Sequence, residues 1–204
     1  MNTLKELIED RYTRTTEIAE LLDHMSHAQR LDAIHALSRD NLKSLYHRAR
    51  GAGPLSVEDF VPAGTEPLTQ VIHWGRNSLP AFRSFQKRFC LPTPGVTSHP
   101  ADVVLWGYNE QEMALFTGPG YFVVRPGDED DPIVIDYRFV PPDKPYGWPE
   151  IHDNAYRLSR FIYNGTVDKM RRVSQHVTIG AAYRDDQALG AYFILCREDR
   201  HASS

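Results

Sequence analysis

The chain predicts an α+β fold in which N-terminal helices pack on a mostly antiparallel, curved β-sheet. Three observations carry this. Residues 1–50 place apolar side chains three or four apart, the spacing of an amphipathic helix. Residues 102–196 hold short runs of β-branched and aromatic residues separated by Gly, Pro and acidic turns. The strand–helix alternation of a doubly wound fold is missing, so the strands should pair with their neighbours in sequence.

In the helical segment, 1–50, Leu4, Leu7, Ile8, Tyr12, Thr15, Ile18, Leu22 and Met25 form one stripe. Ser26-His-Ala-Gln29 has the form of a capping box and should start a new helix, with Leu31, Ile34 and Leu37 inward. Ser38 is the next N-cap, and Gly51 is a suitable stop. Eight acidic and eight basic residues balance here, which suits a solvated outer face better than a membrane-surface helix. Residues 51–68, with Gly51, Gly53, Pro54, Pro62, Gly64 and Pro67, read as a connector.

The remaining chain, 69–199, is expected to be one α+β domain, followed by a loose tail at 200–204. Leu79, Phe82, Phe85 and Phe89 have partial helical spacing and Pro80 suits a first turn, so 79–90 is expected to be helical. Strands are expected at 103–108, 113–117, 121–125 and 133–140, then a rigid loop at Pro141–Pro149. Residues 150–174 admit two readings. Ile151, Ala155, Leu158 and Ile162 sit at helical spacing, with Asn164-Gly165 as a stop; alternatively Asn164-Gly165 is a hairpin turn before a strand at 166–170. Two apolar runs, 176–183 and 188–196, flank Asp185-Asp186 as a final hairpin. The second run is apolar on both faces, so both faces should be covered.

Composition narrows the function classes. A net charge of −4 and the absence of a basic tract longer than Lys169-Met-Arg-Arg172 give nucleic-acid binding little support. No run approaches the ~20 apolar residues that span a bilayer, and residues 1–8 lack a signal-peptide core. With only Cys90 and Cys196, far apart, a cytoplasmic setting is the expectation. The histidines form no His-Glu-x-x-His set, and glycine-rich phosphate loops and Gly-x-Ser-x-Gly are lacking, so neither a metal nor a cofactor is expected.

Candidate site residues come from strand geometry. If the 126–131 turn closes 121–125 onto 132–140, Phe122 lies opposite Ile135 and Val124 opposite Ile133, a face continued by Tyr137 and Phe139 that should be core. The other face carries Tyr121, Asp136 and Arg138. On the concave side of a sheet, Arg138 would clamp an anion and Asp136 would act as base or orienting acceptor. An ordinary wet face with a cross-strand ion pair explains the same residues. Trp148, in the proline-rich loop, is either a rim residue of a pocket or a pin that holds the loop down. In the final hairpin Gly180, Ala181, Ala182, Gly190 and Ala191 make a patch without bulk, to be filled by a helix or by an apolar ligand. His176, on the face of Thr178, Phe193 and Leu195, is a second candidate acid–base group.

Three functions remain open. One is a non-enzymatic binding domain with a small apolar or anionic ligand between sheet and helices, fixed by Tyr121, Asp136, Arg138 and Trp148. A second is a metal-free acid–base enzyme for a small organic acid or carbonyl compound, with Asp136 or His176 as base. A third is an assembly protein that dimerises through its N-terminal helices.

Overall fold

The computed structural model describes residues 2–80, 83–110, 120–152 and 165–199. Among the described residues, five short helices come first: α1 (Leu4–Glu9), α2 (Thr15–His24), α3 (His27–His35), α4 (Arg39–Arg48) and α5 (Val57–Phe60). Eight described strands follow: β1 (Val71–Asn77), β2 (Ser84–Cys90), β3 (Leu105–Glu110), β4 (Tyr121–Pro126), β5 (Ile133–Asp136), β6 (Thr166–Arg172), β7 (Val177–Arg184) and β8 (Gln187–Arg197). Each strand pairs antiparallel with the next, and β1 pairs with β8, so the sheet closes into a barrel.

This corrects the expected α+β class. The fold is mostly β, and its sheet is a closed barrel where an open curved one was expected. The difference lies in residues 71–90. Their aromatic spacing imitates a helix, yet they form β1 and β2, and β1 supplies the partner that removes the free edge of β8. The expected helix over 79–90 is thus a strand from Ser84 onward. The expected strand at 113–117 falls outside the described residues, as do most of the alternatives for 150–164. Residues 166–172 are a strand between β5 and β7.

The helical segment obeys its local signals. Ser26 and Ser38 both form capping boxes, with Gln29 and Asn41, and Gly51 has a positive φ of 69°. The single stripe is cut in two, however. Asp10 accepts hydrogen bonds from the Tyr12 amide and the Thr13 hydroxyl, a local turn that competes with the helix. Arg48 of α4 then donates to the carbonyls of Leu7, Ile8 and Asp10, which satisfies the exposed end of α1. Ile18, Leu22, Ile34, Leu42 and Leu45 pack on Val177, Ile179, Ala181, Ile194 and Cys196, the outward side of β7 and β8. That explains why β8 is apolar on both faces: one meets the helices and the other the barrel interior. Arg171 fastens the two layers, donating to Asp131 and to the Tyr46 carbonyl with its guanidinium 4.0 Å from the Tyr46 ring centre.

The barrel interior is built from alternate residues. Phe89, Leu105, Phe122, Val124, Ile133, Ile135, Met170, Phe193 and Leu195 form one cluster. The β4–β5 pairing is shifted by two residues from the sequence estimate, with Val124 opposite Ile135, because the ladder runs on to Pro126 and Ile133. A shift of two keeps the same faces inward. Three inward glycines each lie opposite a phenylalanine: Gly75 and Phe85, Gly107 and Phe122, Gly180 and Phe193. A methyl on any of them would come within 2.5 Å of the opposing ring, so the rings lie flat over bare backbone.

One end of the barrel is closed by α5. The Phe60 ring stacks near His73 (5.7 Å) and Phe89 (5.1 Å), and His73 Nε2 donates to the Phe60 carbonyl at 2.9 Å. Arg197 donates to the carbonyls of Glu58 and Asp59. Burial pushes the His73 imidazole down to about 3. The folded protein therefore keeps His73 neutral at pH values where the unfolded chain protonates it. Its contribution to stability is complete above about pH 6.5 and is lost as the pH falls toward 3, by up to about 4–5 kcal/mol at ~1.4 kcal/mol per pH unit. Urea unfolding from pH 7 to pH 3.5 should show this loss, and His73→Phe should flatten the slope in that window. An unchanged slope would mean that His73 is not held neutral.

No described helix is long and apolar enough to cross a membrane. The outward side of β2 and β6 carries Arg88 and Lys169, unlike the apolar band of a bilayer-spanning barrel.

Candidate functional site

The end of the barrel opposite α5 is where β1 ends, β2 begins and the β7–β8 turn lies. Asp185 and Asp186 form that two-residue turn, both with positive φ (49° and 60°). Inside this end is a cavity of about 200 Å³ lined by Phe85, Lys87, Asn109, Tyr137, Asp168 and Phe193, with Ala182, Leu189 and Ala191 among the residues at its side. An eight-stranded barrel has an interior just wide enough to be filled by side chains or to hold one small ligand. Here the small residues of β7 and β8 leave the space.

The floor of the cavity is polar. Lys87 Nζ donates to Asn109 Oδ1 at 3.0 Å, to Asp168 Oδ2 at 3.1 Å and to the Tyr137 hydroxyl. Asn109 Nδ2 also donates to the Tyr137 hydroxyl, at 2.9 Å. Lys87 and Asp168 are 2% and 5% exposed, so this is a buried ion pair and not a surface one. Each residue sits at an inward position of its strand: Lys87 between Phe85 and Phe89, Asn109 two beyond Gly107, Asp168 two before Met170. Four rings surround the ammonium, with centres at 4.8 Å (Phe193), 4.9 Å (Tyr137), 5.1 Å (Phe122) and 5.8 Å (Phe85). Burial pulls the Lys87 ammonium down and pushes the Asp168 carboxyl up, each opposed by the other's charge. Both shifts lower the cost of moving a proton from nitrogen to oxygen within the pair.

The residues singled out from sequence lie elsewhere. Tyr121 and Asp136 are on the outward side of β4 and β5, and Arg138 follows β5. Asp136 is fully buried there, holding Arg125 at 3.0 Å and Arg138 at 2.7 Å. Burial alone would raise its carboxyl, but the bonds from Arg138 and Arg125 outweigh it and hold the group below the usual range. Trp148 is packed against Tyr108 and Tyr121 and donates to Gln70, while the Tyr121 hydroxyl donates to the Pro149 carbonyl. The proline-rich loop is thus pinned on the outside of the barrel, with Tyr146 exposed at its tip. The structure brings Tyr121 and Trp148 together under the loop, and Asp136 together with Arg138 and Arg125, all on the outward side of the sheet and away from the interior cavity. His176 lies just before β7, at the α5 end, with Nδ1 3.4 Å from Asp199; Asp136 ends β5 at the other. The two candidate bases do not converge on one site. The small-residue patch is divided: Ala181 faces the helices, Gly180 lies under Phe193, and Ala182 and Ala191 line the cavity.

A larger cavity, about 590 Å³, is an open groove among α1, α2 and α3, lined by Leu4, Leu21, Met25 and Ala33 with Lys5, His24 and Asp32. It lacks a buried polar cluster, so chemistry favours the barrel interior despite the smaller volume. No protein-family model, no curated protein and no solved structure matches the chain.

Proposed function

We propose that the barrel binds a small, largely apolar, uncharged molecule inside the end opposite α5, with Lys87, Asn109, Tyr137 and Asp168 fixing one polar group. The observation that carries this reading is the buried four-residue polar cluster at the floor of a cavity walled by aromatic rings. Size supports one ring or a short chain, since a cavity of about 150 Å³ takes benzene. The charge supports a neutral ligand. Lys87 and Asp168 already cancel, and an added carboxylate would stand next to Asp168 in a medium that screens poorly.

A thermal-shift panel of benzyl alcohol, benzaldehyde, cyclohexanone, benzoate and octanoate tests the reading. At one hundred times Kd a ligand adds about 2.7 kcal/mol, roughly 5–10 °C for a chain of this size. The neutral ring compounds should raise the melting temperature and the carboxylates should not. A shift from the carboxylates alone would contradict a neutral-ligand site, and no shift from any neutral compound would count against binding.

A further inference from the structure

We infer that Lys87 takes small aldehydes or ketones as a covalent imine inside the barrel. The inference rests on the binding reading above and names its ligand class. Three observations support it. Lys87 is a primary amine 2% exposed at the wall of a cavity large enough for one ring. Asp168, 3.1 Å from its nitrogen, is placed to take the proton that must leave before nitrogen can attack and to return it to oxygen. The rings of Phe193, Tyr137, Phe122 and Phe85 surround the nitrogen and hold water off the product.

The steps balance without a further reactant. A proton passes from the Lys87 ammonium to Asp168. The nitrogen lone pair attacks the carbonyl carbon, the C=O π pair moves to oxygen, and a proton transfer from nitrogen to that oxygen gives a neutral carbinolamine. Asp168 then protonates the hydroxyl, the C–O bond breaks, and one water leaves as the C=N bond forms. The product is an iminium on Lys87 beside the Asp168 carboxylate, with the positive charge where it began. The aromatic rings and the carboxylate therefore favour the product as they favour the ammonium. The iminium has one N–H where the ammonium had three, so Asp168 suffices as its acceptor. Asn109 and Tyr137 are then freed from the nitrogen.

The test is incubation of the full chain with benzaldehyde at low concentration, reduction with sodium cyanoborohydride and peptide mapping by mass spectrometry. The added benzyl group should sit on Lys87 at least tenfold in excess of Lys5, Lys43, Lys144 and Lys169. Benzyl alcohol, which fits the same space and cannot form an imine, should suppress the labelling of Lys87 alone. Asp168→Asn should slow that labelling at least tenfold if it folds. Should it not fold, the comparison among the five lysines of the native chain decides the matter. Labelling confined to the four other lysines, with benzyl alcohol still raising the melting temperature, would overturn the imine and leave the binding reading standing. The same labelling with no thermal shift from either compound would overturn both.

Discussion

Replacing Lys87 by methionine should destabilise the protein by about 3–5 kcal/mol, the usual cost of removing one member of a buried ion pair. Methionine matches the length of the lysine stem and fills its space, so a cavity is a minor part of the loss. The larger part is that Asp168 keeps its burial and loses its ammonium, while Asn109 Oδ1 and the Tyr137 hydroxyl each lose a donor. The double variant Lys87→Met/Asp168→Leu should recover most of this, because an apolar pair removes the desolvation of both charges. Urea unfolding of the wild type, the single variant and the double variant measures the cycle. If Lys87→Met alone is as stable as the wild type, the pair does not exist as a buried network.

Alanine at Gly107 should be about as damaging, at about 3 kcal/mol or more. Its methyl carbon would lie 2.3 Å from the Phe122 ring and 2.5 Å from the carbonyl oxygen of Arg88. A ring can rotate away, but the carbonyl belongs to the β2 backbone and moves only if the β2–β3 ladder moves with it. At Gly75 the three nearest atoms to the added methyl all belong to the Phe85 ring, the closest at 2.5 Å, so Gly75→Ala should cost less, about 1–2 kcal/mol. Thermal unfolding of both variants reads the difference. Equal losses would show that backbone contact is not what makes Gly107 irreplaceable.

Much of the local structure was legible from single residues. The serine caps, the stop at Gly51, the Asp185-Asp186 hairpin and the inward face of Phe122, Val124, Ile133 and Ile135 follow from capping chemistry, turn chemistry and the two-residue period of a strand. Barrel closure was not legible, because it depends on β1 meeting β8 across more than a hundred residues. The β2 strand was hidden by Leu79, Phe82, Phe85 and Phe89, whose spacing suits a helix equally well. The same ambiguity hides the Lys87 cluster. In a strand, Phe85, Lys87 and Phe89 share a face, and a lysine between two inward phenylalanines signals a buried charge in need of a partner. The same pattern recurs at Thr166, Asp168 and Met170 in β6. The polar residues on the outward face of β4 and β5, Asp136 and Arg138, are by contrast plain in the sequence. In the fold Asp136 pairs with Arg125 and Arg138, and Tyr121 packs against Trp148 of the Pro141–Pro149 loop, whose path the sequence does not show.

The space inside the end of the barrel opposite α5, beside Lys87 and Asp168, is proposed here as the ligand site. Calorimetric titration of benzyl alcohol and cyclohexanone into the wild type and into Ala182→Leu tests it most directly. Ala182 lines the cavity and pairs with Asp168 across β6 and β7, so leucine there fills the space beside the carboxylate while Lys87 and Asp168 themselves are unchanged. One saturable site is expected in the wild type, with affinity at least tenfold weaker in an Ala182→Leu protein that unfolds at a similar urea concentration. Equal affinity in the two proteins would place the ligand outside the barrel interior and rule out this site.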